Sequence, residues 1–178
     1  MKKALIFLVD GFEEIEAAAT ANILRRGNVE VTTVSVTGKK EVTGSRKIPV
    51  IADVLFEQAD FDADILILPG GTTALNEHEG LKEKITEFHR AGKNIAAICA
   101  APMVLGGLGI LKGRRATAYP GYEHYLEGAV FSPEAAVIDG HIITGRGPGL
   151  TFDFALAILE ILEGKDAKTA VEKQLLLR

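Results

Sequence analysis

The sequence predicts an α/β sandwich with a mostly parallel central sheet. Apolar runs of strand length alternate with amphipathic stretches of helix length, which is the pattern of parallel strands joined by crossover helices. The first run, Ala4 to Val9, is apolar without interruption, as expected for a strand covered on both faces. At 178 residues, the chain is expected to form one domain over residues 1–178.

A helix and a strand with clear signals follow the first run. The helix is predicted from Glu13 to Arg26, because acidic residues occupy its first turn, arginines occupy its last turn and Gly27 follows. The strand is predicted over Val29–Ser35, which is rich in β-branched residues. The next segment has a weaker pattern, in which Gly38-Lys39-Lys40 indicates a hairpin turn and Pro49 an edge strand.

The centre of the chain alternates again. A strand is predicted over Ile65–Leu68, and Leu81, Ile85 and Phe88 mark the buried face of a helix. The apolar run Asn94–Ile98 is predicted to be the strand that leads into the only cysteine. His78 and His89 fall on one face of the helix between these strands and are expected to be exposed to solvent.

The last third of the chain contains the clearest turn signal. Asp139-Gly140 lies between two apolar runs and predicts a β-hairpin. The other elements predicted here are a short strand at Arg115–Ala118, a loop or short helix at Tyr119–Leu126, an amphipathic helix over Phe152–Leu159 and a closing helix at Ala167–Leu177.

Charge and cysteine content exclude several classes of function. The chain has 20 Lys+Arg against 24 Asp+Glu, a net charge of −4, and no basic block, so no nucleic-acid partner is expected. No apolar run approaches the length that spans a bilayer, so no membrane association is expected. Metal-ligand spacings and nucleotide-binding glycine motifs are absent, so neither a metal nor a cofactor is expected. A single cysteine favours a reducing, cytoplasmic compartment.

Cys99 is the residue around which a site is predicted. A strand, a turn of small residues and Pro102 at the start of a helix match the geometry that lifts a nucleophile out of a sheet. The first amides of such a helix favour thiolate over thiol. Asp10-Gly11 and Gly70-Gly71 also follow strands, and ligands of such folds bind beyond the carboxyl ends of the strands. The alternative is an inert core cysteine, since free cysteine is among the most buried residue types.

Glu16 is the candidate partner for proton transfer. The buried face of the first helix is predicted to consist of Ile15, Ala19 and Ile23. Glu16 lies at the edge of that face, about 100° around the helix from Ile15. A desolvated carboxyl there would have a raised pKa and could exchange a proton with sulfur or substrate. An ordinary solvated glutamate is the alternative, and Glu13 and Glu14 are expected to face water.

Backbone amides are the candidates for an oxyanion site. Gly70 and Gly71 lack side chains, so their backbone can approach a developing oxyanion together with the amide of Ala100. An ordinary turn at the end of a strand is the alternative.

Four motifs, taken in order, resemble the ThiJ/PfpI superfamily, most closely its parkinsonism-associated protein deglycase branch. They are Gly11–Glu16, Pro69-Gly70-Gly71, Ala96–Pro102, and Arg146-Gly147-Pro148-Gly149 followed by Phe152–Leu159; the similarity runs from about Lys3 to Leu177. The resemblance implies a flavodoxin-like three-layer sandwich, formed by one class I glutamine amidotransferase-like domain over residues 1–178. It also implies a homodimer, with Arg26 and Arg46 near the interface.

The resemblance also implies the site and the reaction. Cys99 would be the nucleophile and Glu16 its hydrogen-bond partner, with the backbone at Gly71 and Ala100 as the oxyanion site and Gly70 and Tyr119 beside it. The implied activity is a cofactor-free reaction on α-oxoaldehydes such as methylglyoxal, as in a glutathione-independent glyoxalase, or on glycated proteins, as in a deglycase. The alternative is a redox sensor or chaperone that signals by oxidation of Cys99.

Two positions depart from the family pattern. Ala100 stands where the protease-like branch carries a histidine, so peptidase activity is not expected. Tyr119 stands where the deglycase branch often places a histidine near the cysteine. Because a phenol is a poor base at neutral pH, proton transfer is expected to depend on Glu16.

Overall fold

The computed structural model describes residues 1–177. The strands of this part are β1 (Lys3–Leu8), β2 (Glu30–Ser35), β3 (Glu41–Thr43), β4 (Pro49–Ile51), β5 (Val54–Leu55), β6 (Ile65–Leu68), β7 (Asn94–Ile98), β8 (Arg115–Ala116), β9 (Val130–Phe131), β10 (Ala136–Asp139) and β11 (Ile142–Gly145). The α-helices are α1 (Glu14–Arg26), α2 (Glu79–Arg90), α3 (Pro102–Gly107), α4 (Thr151–Glu163) and α5 (Lys165–Gln174). The predicted strands and helices of the central sheet are therefore confirmed, with small differences at their ends.

Seven strands form the central sheet, in the order β10-β11-β7-β6-β1-β2-β5. All neighbours run parallel except β10 and β11, which form the antiparallel hairpin predicted at Asp139-Gly140. The order places the ends of β7, β6 and β1 side by side. Each of these three strands is followed by one of the loops that the sequence singled out.

The core has two halves, one on each face of the sheet. In β1, Ala4, Ile6 and Leu8 pack with residues of α1 and α4, whereas Leu5 and Phe7 pack on the opposite side with residues of α2 and α3. Alternate side chains of a strand point to opposite faces, so a strand that is buried on both faces is apolar throughout. The three-layer sandwich is confirmed.

The predicted hairpin turn at Gly38-Lys39-Lys40 is wrong. Strand β2 pairs in parallel with β1 along its length and with β5 at Val34 and Ser35, so the end of β2 that precedes the predicted turn has both edges occupied. Instead β3 pairs with β4 across the turn at residues 44–48, and Pro49 opens β4 in this separate two-stranded sheet. The strand predicted at Arg115–Ala118 is also shorter than expected, because only its first two residues pair, with β9.

No helix within residues 1–177 combines the length and hydropathy needed to cross a bilayer.

His78 and His89 are bonded and half-buried, so the prediction that they face solvent is wrong. His78 caps α2, because its Nδ1 accepts a hydrogen bond of 3.0 Å from the amide of Leu81. Nδ1 of His89 lies 2.9 Å from Nε2 of His141, which joins the last turn of α2 to the turn before β11. The two rings therefore share one hydrogen bond between helix and hairpin.

This histidine pair is expected to make stability depend on pH. Desolvation, followed by the nearby Arg114 guanidinium, holds the pKa of both His89 and His141 below the usual value. The unfolded chain therefore binds protons at these histidines more readily than the folded protein does. The contribution of the pair to the free energy of unfolding is complete above about pH 6.5 and is lost as the pH falls below it. A His89→Asn/His141→Asn double variant should lose less stability than the wild type between about pH 7 and pH 5 in urea denaturation. Equal losses in the two proteins would contradict the assignment.

Candidate active site

Three loops meet at the carboxyl edge of β1, β6 and β7. Gly11 follows β1, Gly70 follows β6 and Cys99 follows β7. The loops are in close contact, since a Cβ atom added to Gly70 would lie 2.6 Å from Cβ of Cys99. The sheet order therefore brings together residues that are far apart in the sequence.

Cys99 lies in a strained turn between β7 and α3. Its φ of 66° is in the left-handed region that residues with a side chain rarely adopt. Both of its backbone groups are held: its amide donates to the carbonyl of Gly145 at 2.9 Å, and its carbonyl accepts from the amide of Tyr119 at 2.9 Å. The turn is the strand-to-helix geometry typical of nucleophiles, and Pro102 begins the helix that follows.

Glu16 is more deeply buried than its sequence pattern indicates. Its side chain is 1% exposed, and Oε2 accepts a hydrogen bond of 2.7 Å from the amide of Gly70. The other oxygen, Oε1, has no hydrogen-bond partner among the described residues. The Cys99 thiol is the neighbouring side chain that interacts with this carboxyl.

The predicted buried face of α1 is wrong at Ile15 and Ala19 and right at Ile23, which is 1% exposed. Ile15 is 54% exposed and Ala19 is only half-buried. The residues that α1 buries are Glu14, Glu16, Ala17, Thr20, Ala21, Ile23 and Leu24. Glu16 therefore belongs to the buried face itself, because the small side chains of α1 face the protein and Ile15 remains on the surface of the single chain.

Burial sets the titration of the central pair. Desolvation raises the pKa of Glu16 to about 7, although the Gly70 amide and the Cys99 thiol act in the opposite direction. Desolvation and the adjacent Glu16 carboxylate raise the pKa of Cys99 to about 12. The amides of Gly71 and Ala100 lower the pKa of Cys99, the direction expected from the sequence, but burial and Glu16 outweigh them. Near neutral pH the sulfur of Cys99 is a thiol, and the carboxyl of Glu16 beside it titrates.

The amides near the sulfur come from two loops. Those of Gly71 and Ala100 interact with the sulfur of Cys99, whereas the amide of Gly70 is already bound to Glu16. Gly71 has a φ of 89°, and a Cβ atom there would lie 2.4 Å from the backbone nitrogen of Glu13. Only glycine fits at this position, which keeps the amide beside the sulfur.

Tyr119 lies next to Cys99 through its backbone. Its amide binds the carbonyl of Cys99, and its ring packs against Gly147, where an added Cβ atom would lie 3.1 Å from the ring. The residue is 45% exposed, so its side chain is open to solvent.

A nucleophile elbow, a buried glutamate and glycine amides at one sheet edge are the features of the family that the sequence resembles. The profile of the DJ-1/PfpI family matches residues 2–161. The chain belongs to the DJ-1/PfpI family. "Protein dj-1beta" of Drosophila melanogaster is 36% identical over 182 residues, which cover 99% of this chain and 97% of that protein.

Other DJ-1 relatives agree in sequence and in structure. "Glutathione-independent glyoxalase DJR-1.2" of Caenorhabditis elegans is 35% identical, covering 99% of this chain and 97% of the relative. The crystal structure of Drosophila melanogaster DJ-1beta superposes with a TM-score of 0.93 at 37% identity, over 98% of this chain and 97% of that one. Oxidised Toxoplasma gondii DJ-1 superposes with a TM-score of 0.94 at 31% identity, covering 99% and 98%. The DJ-1/PfpI fold thus extends over nearly the whole chain.

In this DJ-1/PfpI protein, Glu13 and Glu14 were predicted from the sequence to face water, and that prediction is wrong. Glu14 is 7% exposed and accepts hydrogen bonds from the amide of Arg46, at 2.7 Å, and the hydroxyl of Ser45, at 3.1 Å. Glu13 is half-buried and caps α1, its Oε2 accepting from the amide of Glu16 at 2.8 Å. The Glu-Glu-x-Glu pattern could have indicated the cap, but the partners of Glu14 lie 31 to 34 residues away.

Proposed function

We propose that this chain is a cysteine-dependent, cofactor-free enzyme that converts α-oxoaldehydes such as methylglyoxal to hydroxy acids, in the manner of a glutathione-independent glyoxalase. The observation that carries the proposal is the buried Glu16 carboxyl, with its pKa near 7, beside the thiol of Cys99. A general base is most effective when its pKa lies near the working pH. The activity named for the Caenorhabditis elegans relative supports the same chemistry.

In the first step, Glu16 accepts the proton of the Cys99 thiol as sulfur adds to the aldehyde carbon. The carbonyl oxygen becomes an oxyanion beside the amides of Gly71 and Ala100, and protonated Glu16 then supplies the proton that makes the hemithioacetal. A buried carboxyl that interacts with the Cys99 thiol can perform this transfer in both directions.

In the second step, Glu16 moves the proton of the former aldehyde carbon to the adjacent carbon through an enediol, which leaves a thioester on Cys99. Water hydrolyses the thioester to lactate and returns the thiol. The overall reaction is methylglyoxal plus water giving lactate: one carbon is oxidised and its neighbour reduced, so no external oxidant or cofactor is consumed.

Deglycase activity is the second activity that the same site could have. The rate at which methylglyoxal adducts decay distinguishes it from glyoxalase activity. Hemithioacetals of methylglyoxal with N-acetylcysteine dissociate spontaneously, so an enzyme that acts only on free aldehyde cannot clear them faster than they dissociate. The rate of spontaneous dissociation is measured with an excess of an aldehyde trap. We expect adduct decay in the presence of the protein to reach this rate but not to exceed it. Faster decay with wild type but not with Cys99→Ala would assign deglycase activity instead.

We also propose that the protein forms a homodimer and works in the cytoplasm without nucleic-acid or membrane partners. A groove between α1 and β4 supports the dimer, because it is lined by the small apolar side chains of Ala18, Ala21 and Val50. Arg26 also lines this groove, and Ile51 at its edge is 65% exposed. Sedimentation velocity on the purified chain tests this proposal.

Redox sensing is the candidate from another class, and the oxidised form of the Toxoplasma gondii relative favours it. Cys99 would then be oxidised to a sulfinic acid by peroxide. Intact mass after mild peroxide treatment discriminates: a gain of two oxygens that is absent in Cys99→Ala supports sensing, whereas oxidation at Met1 and Met103 counts against it.

A further inference from the structure

Glu13 connects Glu16 to Gly70 and Gly71, the oxyanion glycines. Its carboxylate accepts a hydrogen bond of 2.8 Å from the amide of Glu16, and its own amide donates to the carbonyl of Gly70 at 2.9 Å. The Gly70 amide in turn donates to Oε2 of Glu16 at 2.7 Å. These three bonds close a ring through Glu13, Gly70 and Glu16.

The same residue also fixes the second glycine. A Cβ atom on Gly71 would lie 2.4 Å from the nitrogen of Glu13, so the two backbones are in direct contact. Because the amide of Gly71 is one of the two beside the sulfur of Cys99, a displacement of Glu13 would be transmitted to both halves of the site.

We propose that Glu13 is a positioning residue for the reaction, which fixes Glu16 through its side chain and the oxyanion glycines through its backbone. This inference rests on the roles proposed above for Cys99 and Glu16. The carboxylate has a second effect, because its negative charge disfavours ionisation of Glu16 and raises the pKa of that group. Burial is the main cause of the raised pKa of Glu16; the Gly70 amide and the Cys99 thiol lower that pKa, and Glu13 raises it. The charge of Glu13 therefore adds to the effect of burial in raising the pKa of Glu16.

Alkylation of Cys99 by iodoacetamide tests this role without any aldehyde substrate. The rate of alkylation falls at low pH, and this part of the profile is its acid limb. The acid limb reports the ionisation of Glu16, which accepts the thiol proton as the sulfur reacts. Glu13→Gln keeps an oxygen that can cap the helix but removes the charge. We expect it to move the acid limb to lower pH by about half a unit and to slow alkylation at the plateau by about threefold.

Two further variants separate charge from structure. Glu13→Asp keeps both the charge and a good cap, so its acid limb should return towards that of the wild type. Glu13→Ala loses both and should react more slowly than Glu13→Gln. Added salt should lower the pH midpoint of the acid limb in the wild type towards the midpoint in Glu13→Gln. It should leave the midpoint in Glu13→Gln unchanged. The matched control is Glu163→Gln, an exposed acid at the end of α4, which should behave as wild type.

Identical profiles for wild type, Glu13→Gln and Glu13→Ala would overturn the proposal, as would an equal shift in Glu163→Gln. Because alkylation needs no catalytic turnover, a protein that fails to convert methylglyoxal can still show the shift. The proposed function and the role of Glu13 are thus tested separately.

Discussion

Glu16→Gln is expected to reduce turnover of methylglyoxal by about 10²- to 10⁴-fold, which is the range that a positioned general acid–base residue contributes. Glutamine has nearly the same shape, and its oxygen can still accept the hydrogen bond from the amide of Gly70. It cannot accept the proton of the Cys99 thiol. The loss should therefore appear in kcat without a change in fold, as judged by circular dichroism and kinetics with purified protein.

The same variant should be more stable than wild type at alkaline pH. Burial raises the folded pKa of Glu16 to about 7, so the carboxyl binds its proton more tightly in the folded state than in the unfolded one. The stability associated with the neutral form is complete below about pH 4.5 and is lost as the pH rises through the folded pKa. Glutamine never ionises, so the midpoint of urea unfolding at about pH 8 should rise. Unchanged turnover together with unchanged stability would contradict both the burial and the role of Glu16.

Gly70→Ala is expected to damage both activity and stability. The added Cβ atom would lie 2.6 Å from Cβ of Cys99 and 2.9 Å from the nitrogen of Ala100, so the turn at Cys99 must move. Overpacking of this kind costs about 1–3 kcal/mol in the free energy of unfolding. Displacement of the nucleophile by about 1 Å should lower kcat/KM by at least about 100-fold.

Gly149→Ala is the matched control for Gly70→Ala. It makes the same chemical change where an added Cβ atom meets no neighbour within 4 Å. We expect wild-type turnover and a change in unfolding free energy of less than about 0.5 kcal/mol. Wild-type activity in Gly70→Ala, or an equal loss in Gly149→Ala, would show that the close contact at Gly70 does not hold the site together.

The sequence predicts the central sheet because its strands are buried on both faces. Ala4–Val9 and Ile65–Leu68 are apolar throughout, and this pattern depends on the fold class rather than on individual contacts. The position of Cys99 at the end of β7 follows from the same pattern. The hairpin near Asp139-Gly140 was equally predictable, although Asp139 is the last residue of β10 and the two turn residues are Gly140 and His141.

The contacts of the three acids on α1 could not be predicted in the same way. The apolar spacing of Ile15 and Ile23 suggested a buried face that would leave Glu16 at its edge, but Ile15 is exposed and Glu16 lies inside. Glu14 is buried because the turn between β3 and β4 supplies its hydrogen bonds, and periodicity along one helix carries no information about that turn. The high pKa of Cys99 arises similarly, from burial and from Glu16, which lies 83 residues earlier in the chain.

Lactate formation from methylglyoxal, measured without glutathione for wild type, Cys99→Ala and Glu16→Gln, tests the central claim most directly. We expect lactate from the wild type and its loss in both variants, with all three proteins folded by circular dichroism. Lactate formation by Cys99→Ala at the wild-type rate would contradict the claim that the thiol of Cys99 carries the reaction.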